Sequence, residues 1–348
     1  MNIALALDRL LDVSGSDLLL SCGTVPRIRR EGLLEPLEPG APALTPDDTQ
    51  RMLREVLDAQ QWEDLERLRH VDFAFTWRDK ARIRANAFHQ RGSLAAAFRL
   101  LPLAIPNFEM LGIPESVHRL LDRTHGLVLV TGPTGSGKST TQAAMVDYIN
   151  RTRPYHIITL EDPIEYVHKH QLSIVDQRQV GEDTPSFVEG LRSAYREDPD
   201  VILIGEMRDL ETITAAVTLA ESGNVVLATL HTQDAPQALD RIIDSYLGAQ
   251  QQQIRIQLAS CLAGVIYQQL LRAVGGGRVA AYEILVANTA IRSMIKEGRT
   301  DQIRSVLQTS LREGSQTLER SLNQLIASGL ITDEDARSQS VNPPEIRA

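Results

Sequence analysis

A glycine-rich motif carries the clearest chemistry in this sequence. GPTGSGKS, from Gly132 to Ser139, matches G-x-x-x-x-G-K-[ST] in full, directly after the apolar run LVLVT and ahead of a predicted helix over Thr140–Asn150. Its glycines let the backbone curl so that several N–H groups point inward, and the helix N-terminus adds positive potential. Lys138 supplies a cation for the β- and γ-phosphates, and the Ser139 hydroxyl is a Mg²⁺ ligand. The motif predicts a nucleoside triphosphate site. The residues expected to bind there are Pro133, Thr134, Gly135, Ser136, Gly137, Lys138, Ser139 and Thr140.

Acidic residues follow two other apolar runs. Val201–Ile204 leads into Gly205-Glu206, a Walker B position with one carboxylate, and Glu206 is expected to hold the Mg²⁺ shell through water. Ile157–Leu160 leads into EDPIE, where the proline imposes a non-helical path that can direct one carboxylate at the γ-phosphate. Hydrolysis needs a group that orients or deprotonates the attacking water, and EDPIE is the candidate source. A solvated acidic turn is the alternative.

A histidine and three arginines complete the candidate residues. His231 follows the fourth apolar run, in ATLHT, where it is placed to sense the γ-phosphate or to link subunits. Arg82 and Arg84 alternate onto one face of a predicted strand, and Arg99 lies on the next strand. These arginines could supply the further positive charge that a polar hydrolytic site needs. An exposed basic face is the alternative, and the residues alone favour it.

Four short, nearly continuous apolar runs are expected to position this chemistry. Helical segments separate them, a pattern typical of strands buried on both faces of a parallel sheet, which predicts an α/β fold over residues 114–348. In such a sheet the chemistry lies at the carboxyl ends of the strands. Beyond Thr232 the chain is predicted to be mostly helical as far as Leu330, with residues 338–348 as a loose tail. The four runs are Leu127–Thr131, Ile157–Leu160, Val201–Ile204 and Val225–Leu230.

Residues 1–101 show a different pattern of predicted helices and strands, which is typical of a small α+β domain. Two segments alternate in hydrophobicity around a short turn and predict a hairpin. Prolines recur in the following PLAIPNFEMLGIP, and residues 102–113 are therefore interpreted as an interdomain linker. The predicted elements are helices over Ile3–Val13 and Pro46–Leu68 and strands over Val71–Trp77, Ala81–Gln90 and Leu94–Leu100.

Composition narrows the function classes. The 348 residues allow two or three domains, and a net charge of −9 with 4% aromatic residues argues against a protein that binds nucleic acid mainly through phosphate neutralisation or base stacking. Cys22 and Cys261 are the only cysteines, which excludes a cysteine-rich zinc module and suits a cytoplasmic protein. No apolar run approaches the roughly 20 residues of a membrane span, and the amino terminus lacks the pattern of a signal peptide.

Four motifs together resemble the PilT-type ATPases of bacterial type IV pili, a branch of the secretion ATPase superfamily. They are GPTGSGKSTT, ITLEDPIEYVH, REDPDVILIGEMRD with the following LET, and ATLHT, and the resemblance runs from Gly15 to about Gly329. It implies a RecA-like P-loop ATPase domain behind a smaller PAS-like domain, with ATP and Mg²⁺ as ligands. It also implies that Glu165 is the catalytic glutamate, Glu206 the Walker B glutamate and His231 the His-box histidine.

The resemblance implies an assembly as well as a reaction. Arg84 and Arg99 fall where the amino-terminal domain of the family presents arginines to nucleotide. The protein is expected to form a homohexamer with ATP between the two domains, whose closure is coupled to the ATPase cycle. That motor would drive type IV pilus retraction in twitching motility, from the cytoplasmic face of the inner membrane and through partners of the pilus platform. A PilT/PilU-type paralogue is a further candidate partner, and no nucleic-acid partner is expected.

The segment AIRSMIKE, residues 290–297, is similar to the AIRNLIRE signature linked to retraction. From the residues alone it is an amphipathic helix turn with Ile291, Met294 and Ile295 inward. It departs from the signature at Ser293, Met294 and Lys296, and an arginine-to-lysine change loses the planar guanidinium. Leu19 also stands where the first motif of the family usually has histidine. An accessory PilU-like paralogue therefore stays an alternative to the main retraction motor.

Two further alternatives come from outside the retraction branch. Pilus-assembly and type II secretion ATPases usually carry a four-cysteine zinc module and extra amino-terminal sequence, against which the two cysteines and the length of 348 residues argue. A RecA-like nucleic-acid translocase would share the phosphate site, but the negative charge and the few aromatic residues disfavour it.

Overall fold

The computed structural model describes residues 2–30, 33–101 and 103–347, which form two compact units. Unit 1 comprises the chain up to Ala104 together with Pro163–Val167, and unit 2 comprises Ile105–Asp162 and the chain from His168 onward. The predicted linker begins at Pro102, which lies outside the described residues. Its later part carries a short helix in unit 2, so the domain limits at residues 101 and 114 stay a prediction.

Unit 1 is a six-stranded sheet with three helices, and every pair of neighbouring strands is antiparallel, in the order β3-β2-β1-β6-β5-β4. The predicted hairpin, the third strand and the first helix are confirmed. The elements are α1 (Ile3–Asp12), β1 (Asp17–Ser21), β2 (Arg27–Arg30), β3 (Leu33–Pro36), α2 (Pro46–Arg54), α3 (Ala59–Leu68), β4 (His70–Trp77), β5 (Ala81–Gln90) and β6 (Ser93–Leu101).

The single helix predicted over Pro46–Leu68 is wrong, because the chain forms two helices there. Asp58 starts the second one with a capping box, in which its side chain accepts a hydrogen bond from the backbone N–H of Gln61 and the Gln61 side chain accepts one from the backbone N–H of Asp58. Such a cap stabilises a new helix start by satisfying N–H groups that have no partner within the helix.

Unit 2 places a seven-stranded sheet between helices, which confirms the predicted α/β class. In its first half the elements are α4 (Phe108–Leu111), α5 (Glu115–Leu121), β7 (Gly126–Thr131), α6 (Lys138–Thr152), β8 (His156–Glu161), β9 (Ile174–Gln179), α7 (Phe187–Ala194), β10 (Val201–Ile204), α8 (Leu210–Ser222) and β11 (Val225–Leu230). In its second half they are α9 (Ala235–Asp244), α10 (Gln250–Cys261), β12 (Leu262–Arg272), β13 (Arg278–Val286), α11 (Thr289–Glu297), α12 (Ile303–Thr309), α13 (Leu318–Ala327) and α14 (Asp333–Gln339).

The register of this sheet brings the motif-bearing strand ends to one edge. The strand order is β13-β12-β7-β11-β10-β8-β9, and all neighbours except β12 and β13 run parallel. Thr131 pairs with Leu230, and Ile204 pairs with both Ala228 and Leu160. The residues that follow β7, β8, β10 and β11 therefore emerge at the same edge, as predicted from the four apolar runs, all of which are strands.

One prediction for the carboxyl-terminal part is incomplete and another is wrong. Helices α9 to α13 lie between Thr232 and Leu330, as predicted, but β12 and β13, which were not predicted, extend the sheet past β7. The final residues are not a loose tail: Ile346 is 3% exposed and belongs to an apolar cluster with Leu318 and Leu322 of α13. Arg337 fixes the turn by donating hydrogen bonds to the carbonyl oxygens of Pro343 and Ile346. Burial of this isoleucine stabilises a segment whose prolines and polar residues suggested disorder.

Candidate nucleotide-binding and hydrolysis site

The Walker A motif forms the predicted strand–loop–helix. The loop follows β7, and α6 begins at Lys138. Gly132, Gly135 and Gly137 have φ angles of 147°, 79° and 89°, which residues with a Cβ rarely adopt. The N-cap residue of α6 is Gly137, which makes no side-chain cap hydrogen bond, and the positive end of the helix is directed towards the loop. This is the arrangement in which a loop and a helix N-terminus bind a phosphate.

Ser136 adds an observation that fits a phosphate ligand. Its side chain is 2% exposed, and its Oγ has no hydrogen-bond partner within the described part of the chain. A buried hydroxyl without a partner is costly, and structures rarely keep one without a reason. A phosphate oxygen held in the loop would accept this hydrogen bond. The donor set of the loop therefore fits the triphosphate that the motif predicts.

Lys138 lies against the loop rather than extending into solvent. Its side chain is largely buried, and its Nζ donates hydrogen bonds to the carbonyl oxygens of Gly132 at 2.9 Å and Pro133 at 3.0 Å. The same Nζ lies 3.4 Å from Nδ1 of His231, which follows β11. The lysine thus connects the Walker A loop to the His box.

His231 in turn contacts the Walker B carboxylate. Its Nε2 lies 3.1 Å from Oε1 of Glu206, and Nε of Arg208 donates to the same oxygen at 2.5 Å. The structure therefore brings three of the predicted residues, Lys138, His231 and Glu206, into one continuous polar chain. Arg208, from GEMRD in the Walker B box, is a member that the sequence reasoning missed, although its position two residues after Glu206 was the available signal.

The charged groups around His231 determine the protonation state of its imidazole. Partial burial and the nearby ammonium of Lys138 lower the pKa of His231, against the opposing effect of Glu206. Partial burial would raise the pKa of Glu206, but Arg208 and His231 outweigh it and lower that pKa. The imidazole is therefore neutral at neutral pH. Its partners assign the tautomer: Nε2–H donates to Glu206, and Nδ1 accepts from Lys138.

A cavity of about 740 Å³ opens beside these connected polar side chains. Its lining includes Pro133 and Thr134 of the Walker A loop together with Glu206, Arg208 and His231. The sequence reasoning missed two other contributions to the wall, because nothing in the local sequence signals them. They are Tyr267 and Gln269 from β12 and Ser338, Gln339 and Val341 from the carboxyl-terminal segment.

Ser139 and Glu206 are the residues that could hold Mg²⁺. Ser139 is exposed in the first turn of α6, and Glu206 is a charged carboxylate at the carboxyl end of β10. The described residues include no group of three or more acidic, histidine or cysteine side chains suited to a metal ion. Mg²⁺ does not require one, since it is commonly bound by one or two protein ligands together with substrate phosphates and water. This pair fits that chemistry.

The EDPIE residues divide between the two units. Glu161 ends β8 in unit 2, where its Oε1 accepts hydrogen bonds from Thr159 Oγ1 at 2.7 Å and Gln177 Nε2 at 3.1 Å. Glu165 lies in the Pro163–Val167 segment of unit 1. Of these two glutamates, Glu161 is thus committed to hydrogen bonds within the sheet.

In unit 1 the structure brings Glu165 and Arg84 together. Nη1 of Arg84 lies 3.7 Å from Oε1 of Glu165, and Nε of Arg82 donates to the carbonyl oxygen of Ile164 at 3.4 Å. Arg99 pairs with Arg84 across β5 and β6, but its Nε donates to Asp17 of β1 at 2.9 Å. The two predicted arginines are therefore neighbours on one strand pair.

The AIRSMIKE segment lies on α11, as the amphipathic pattern predicts. Ile291 and Ile295 are fully buried, and Met294 packs against the same core while partly exposed. Arg292 donates hydrogen bonds to the backbone carbonyl oxygens of Ala259, Ser260 and Leu262 at the end of α10. A cation at those carbonyls satisfies groups that have no partner within the helix. This segment therefore joins two helices of unit 2.

Comparisons with known proteins agree with this geometry. A family model described as "Type II/IV secretion system protein" matches residues 99–338. The type IV pilus retraction ATPase PilT of Pseudomonas aeruginosa is 45% identical over 328 residues, which cover 94% of this chain and 95% of that protein. The type IV pilus ATPase PilU of the same species is 37% identical, with 97% and 88% covered. A crystal structure of the pilus retraction motor PilT with bound ADP superposes with a TM-score of 0.93 at 50% identity, covering 99% of this chain and 98% of that one.

Replacing Lys138 by methionine should raise the pKa of His231. The ammonium beside Nδ1 disfavours a positive imidazole, so its removal favours protonation, whereas Glu206→Gln removes a favourable neighbour and should lower the same pKa. NMR titration of isotope-labelled histidine measures both shifts, with the His231 signal assigned through His231→Asn. In the wild-type protein the midpoint should lie below the ordinary value of 6.5. Shifts of the same sign in the two variants would contradict this electrostatic account.

Proposed function

The chain belongs to the type II/IV secretion system protein family, and from that premise we propose that it is a motor ATPase that couples ATP hydrolysis to type IV pilus retraction. One observation carries the proposal. The Lys138 ammonium, the His231 imidazole and the Glu206 carboxylate form one polar chain that joins the Walker A, His-box and Walker B motifs beside a cavity. The 45% identity to a pilus retraction ATPase, over nearly the whole length of both proteins, supports retraction as the work that hydrolysis drives.

The residues of the Walker A loop have distinct tasks in this proposal. The backbone N–H groups from Gly132 to Lys138 and the N-terminus of α6 bind the phosphates. The Lys138 ammonium, already held beside the loop, balances charge on the β- and γ-phosphates. Ser139 and Glu206 hold Mg²⁺, which neutralises charge on the triphosphate when bound.

Two further groups complete the hydrolytic set. Glu165 accepts the proton of the water that attacks the γ-phosphate, which yields ADP and phosphate. Its assignment is supported by its place in EDPIE and by the hydrogen bonds that commit Glu161 to the sheet. Arg84 and Arg99 bind nucleotide phosphates, which is supported by the exposure of both guanidinium groups at adjacent positions of β5 and β6. Neutral His231 links the Walker B carboxylate to the phosphate-binding lysine.

The assembly belongs to the same proposal. The protein works as a homohexamer at the cytoplasmic face of the inner membrane, held there by proteins of the pilus platform. The likeness to a pilus retraction motor at 50% identity supports this arrangement. None of the described helices combines the length and the apolar character that crossing a bilayer requires.

An accessory PilU-like motor is the second candidate. The departures at Ser293, Met294 and Lys296 favour it, because these are the positions at which α11 differs from the retraction signature. The identity to PilU is lower, at 37% against 45% for PilT of the same species. The first candidate is therefore preferred.

Glu165→Gln should reduce ATP hydrolysis by at least about 100-fold while nucleotide still binds, because the amide cannot accept the proton of water. Lys138→Ala should instead lose ATP binding, since it removes the cation that faces the phosphates. Phosphate release measures hydrolysis, and calorimetry measures binding. Glu109→Gln, an exposed glutamate on α4, is the matched control and should behave as wild type. Turnover near the wild-type rate in Glu165→Gln would refute the assignment.

Deletion of the gene in its natural host should abolish pilus retraction and leave surplus surface pili. Electron microscopy counts the pili, and twitching-zone assays report retraction. Complementation with the wild-type chain should restore retraction, and complementation with Glu165→Gln should not. Loss of surface pili on deletion would indicate an assembly motor, and retained retraction would indicate the accessory role.

The purified protein should form six-subunit particles in the presence of nucleotide. Light scattering coupled to size-exclusion chromatography should give six times the monomer mass when ADP or a non-hydrolysable ATP analogue is present with Mg²⁺. Only monomer at high protein concentration with nucleotide would count against the ring.

A further inference from the structure

A buried glutamine lies directly behind the Walker A loop. Gln268 is on β12, one residue after the pair that joins Tyr267 to Thr131 of β7, and its side chain is 2% exposed. A primary amide carries two N–H donors and a carbonyl acceptor, and burying them without partners is costly. The fold must therefore give Gln268 polar partners, and it does so on the Walker A loop and on α6.

Both ends of the Gln268 amide are hydrogen-bonded. Its Nε2 donates to the carbonyl oxygen of Ser136 at 2.6 Å, and its Oε1 accepts from Oγ1 of Thr141 at 2.6 Å. The carbonyl of Ser136 can only accept, so the amide nitrogen must face it. The hydroxyl of Thr141 then fixes the opposite end. One side chain thus connects the Walker A loop to the first turns of α6.

The backbone of Gln268 also packs closely against the Walker A loop. A Cβ added to Gly132 would lie 2.3 Å from the carbonyl oxygen of Gln268, and a Cβ added to Gly137 would lie 2.8 Å from its Nε2. Real Cβ atoms do not approach so closely. Gly132 is therefore required by the backbone of Gln268 as well as by its own φ angle. Gly137 is required by its φ angle, and its close neighbour is the end of the Gln268 side chain.

A phosphate-binding loop needs such a contact for a simple reason. When its N–H groups turn inward towards an anion, its carbonyl groups turn outward and require donors of their own. At Ser136 that donor is the Gln268 amide, held in one orientation by Thr141. Loss of the donor would leave a buried carbonyl unsatisfied and free the loop to turn.

We propose that Gln268 is a positioning residue for nucleotide: its amide holds the Ser136 carbonyl outward and thereby keeps the N–H groups of the Walker A loop directed at the phosphates. Gln268 itself touches no phosphate. The inference rests on the proposed nucleotide site and adds to it a residue from a strand some 130 positions further along the chain.

Gln268→Glu and Gln268→Met test the donor. Glutamate keeps the shape and the acceptor for Thr141 but places a carboxylate oxygen against the Ser136 carbonyl, and methionine removes both hydrogen bonds at similar volume. Each should raise KM for ATP and Kd for fluorescent mant-ADP at least tenfold, while kcat changes less than threefold, because the loop contacts ground state and transition state alike. Gln253→Glu, at an exposed glutamine on α10, is the matched control.

Thr141 supplies the second arm of the test. Thr141→Val removes the hydroxyl that orients the amide and should raise KM, whereas Thr141→Ser keeps it and should recover most of the affinity. In Gln268→Met, adding Thr141→Val should cause little further loss, since both changes break the same connection. If the melting temperature shows that a Gln268 variant does not fold, the comparison of Thr141→Ser with Thr141→Val tests the positioning role instead.

Wild-type KM and Kd in folded Gln268 variants would overturn the inference, as would equal losses in Thr141→Ser and Thr141→Val. Lys138→Ala in the same mant-ADP titration separates this failure from failure of the nucleotide site. If Lys138→Ala loses affinity for mant-ADP and the Gln268 variants keep it, only the positioning role of Gln268 is refuted. If Lys138→Ala also keeps affinity, the site itself is wrong.

Discussion

The placement of one buried ammonium group constrains the rest of unit 2. Taking a lysine out of water is unfavourable unless polar partners surround it, and the fold supplies them to Lys138 from two strand ends. The carbonyl oxygens of Gly132 and Pro133 come from the loop after β7, and Nδ1 of His231 comes from the end of β11. Both partners exist only because adjacent parallel strands end level with each other. The register that aligns the ends of β7 and β11 therefore stabilises the Lys138 ammonium as well as the packing of the core.

A neutral imidazole between a cation and a carboxylate has a specific consequence. His231 accepts a hydrogen bond from Lys138 and donates one to Glu206. A change in charge at the lysine therefore changes the electrostatic potential at the glutamate without the transfer of a proton. Arg208 on the far side of Glu206 keeps that carboxylate ionised. The His-box imidazole therefore connects the Lys138 ammonium to the Glu206 carboxylate through a contact at each of its two ring nitrogens.

The sequence predicted what local pattern determines and missed what distant contacts determine. The strand–loop–helix at Lys138 and the four buried strands follow from apolar runs and glycine spacing, and all were confirmed. Strand β12 was missed because it directly follows α10 and carries polar residues such as Gln268, whose partners, Ser136 on the Walker A loop and Thr141 on α6, come far earlier in the chain. The buried tail was missed for a similar reason, since only the cluster around Ile346 reveals its packing.

The two arginines of unit 1 are not equivalent, although sequence alone treated them alike. Arginines directly opposite each other on neighbouring strands repel, so each needs a carboxylate. Arg99 has a close partner in Asp17, whose side chain is only 13% exposed, at 2.9 Å. Arg84 and Glu165 are 3.7 Å apart, with side chains that are 43% and 28% exposed, and such a pair contributes about 0–1 kcal/mol. Arg99 is itself the more exposed arginine, at 67%, so the two pairs differ in distance and in the burial of the carboxylate. The ion pair of Arg84 and Glu165 is therefore the looser of the two, because its atoms lie farther apart and its carboxylate is less buried, and the geometry of unit 1 distinguishes two arginines that their residue types alone do not.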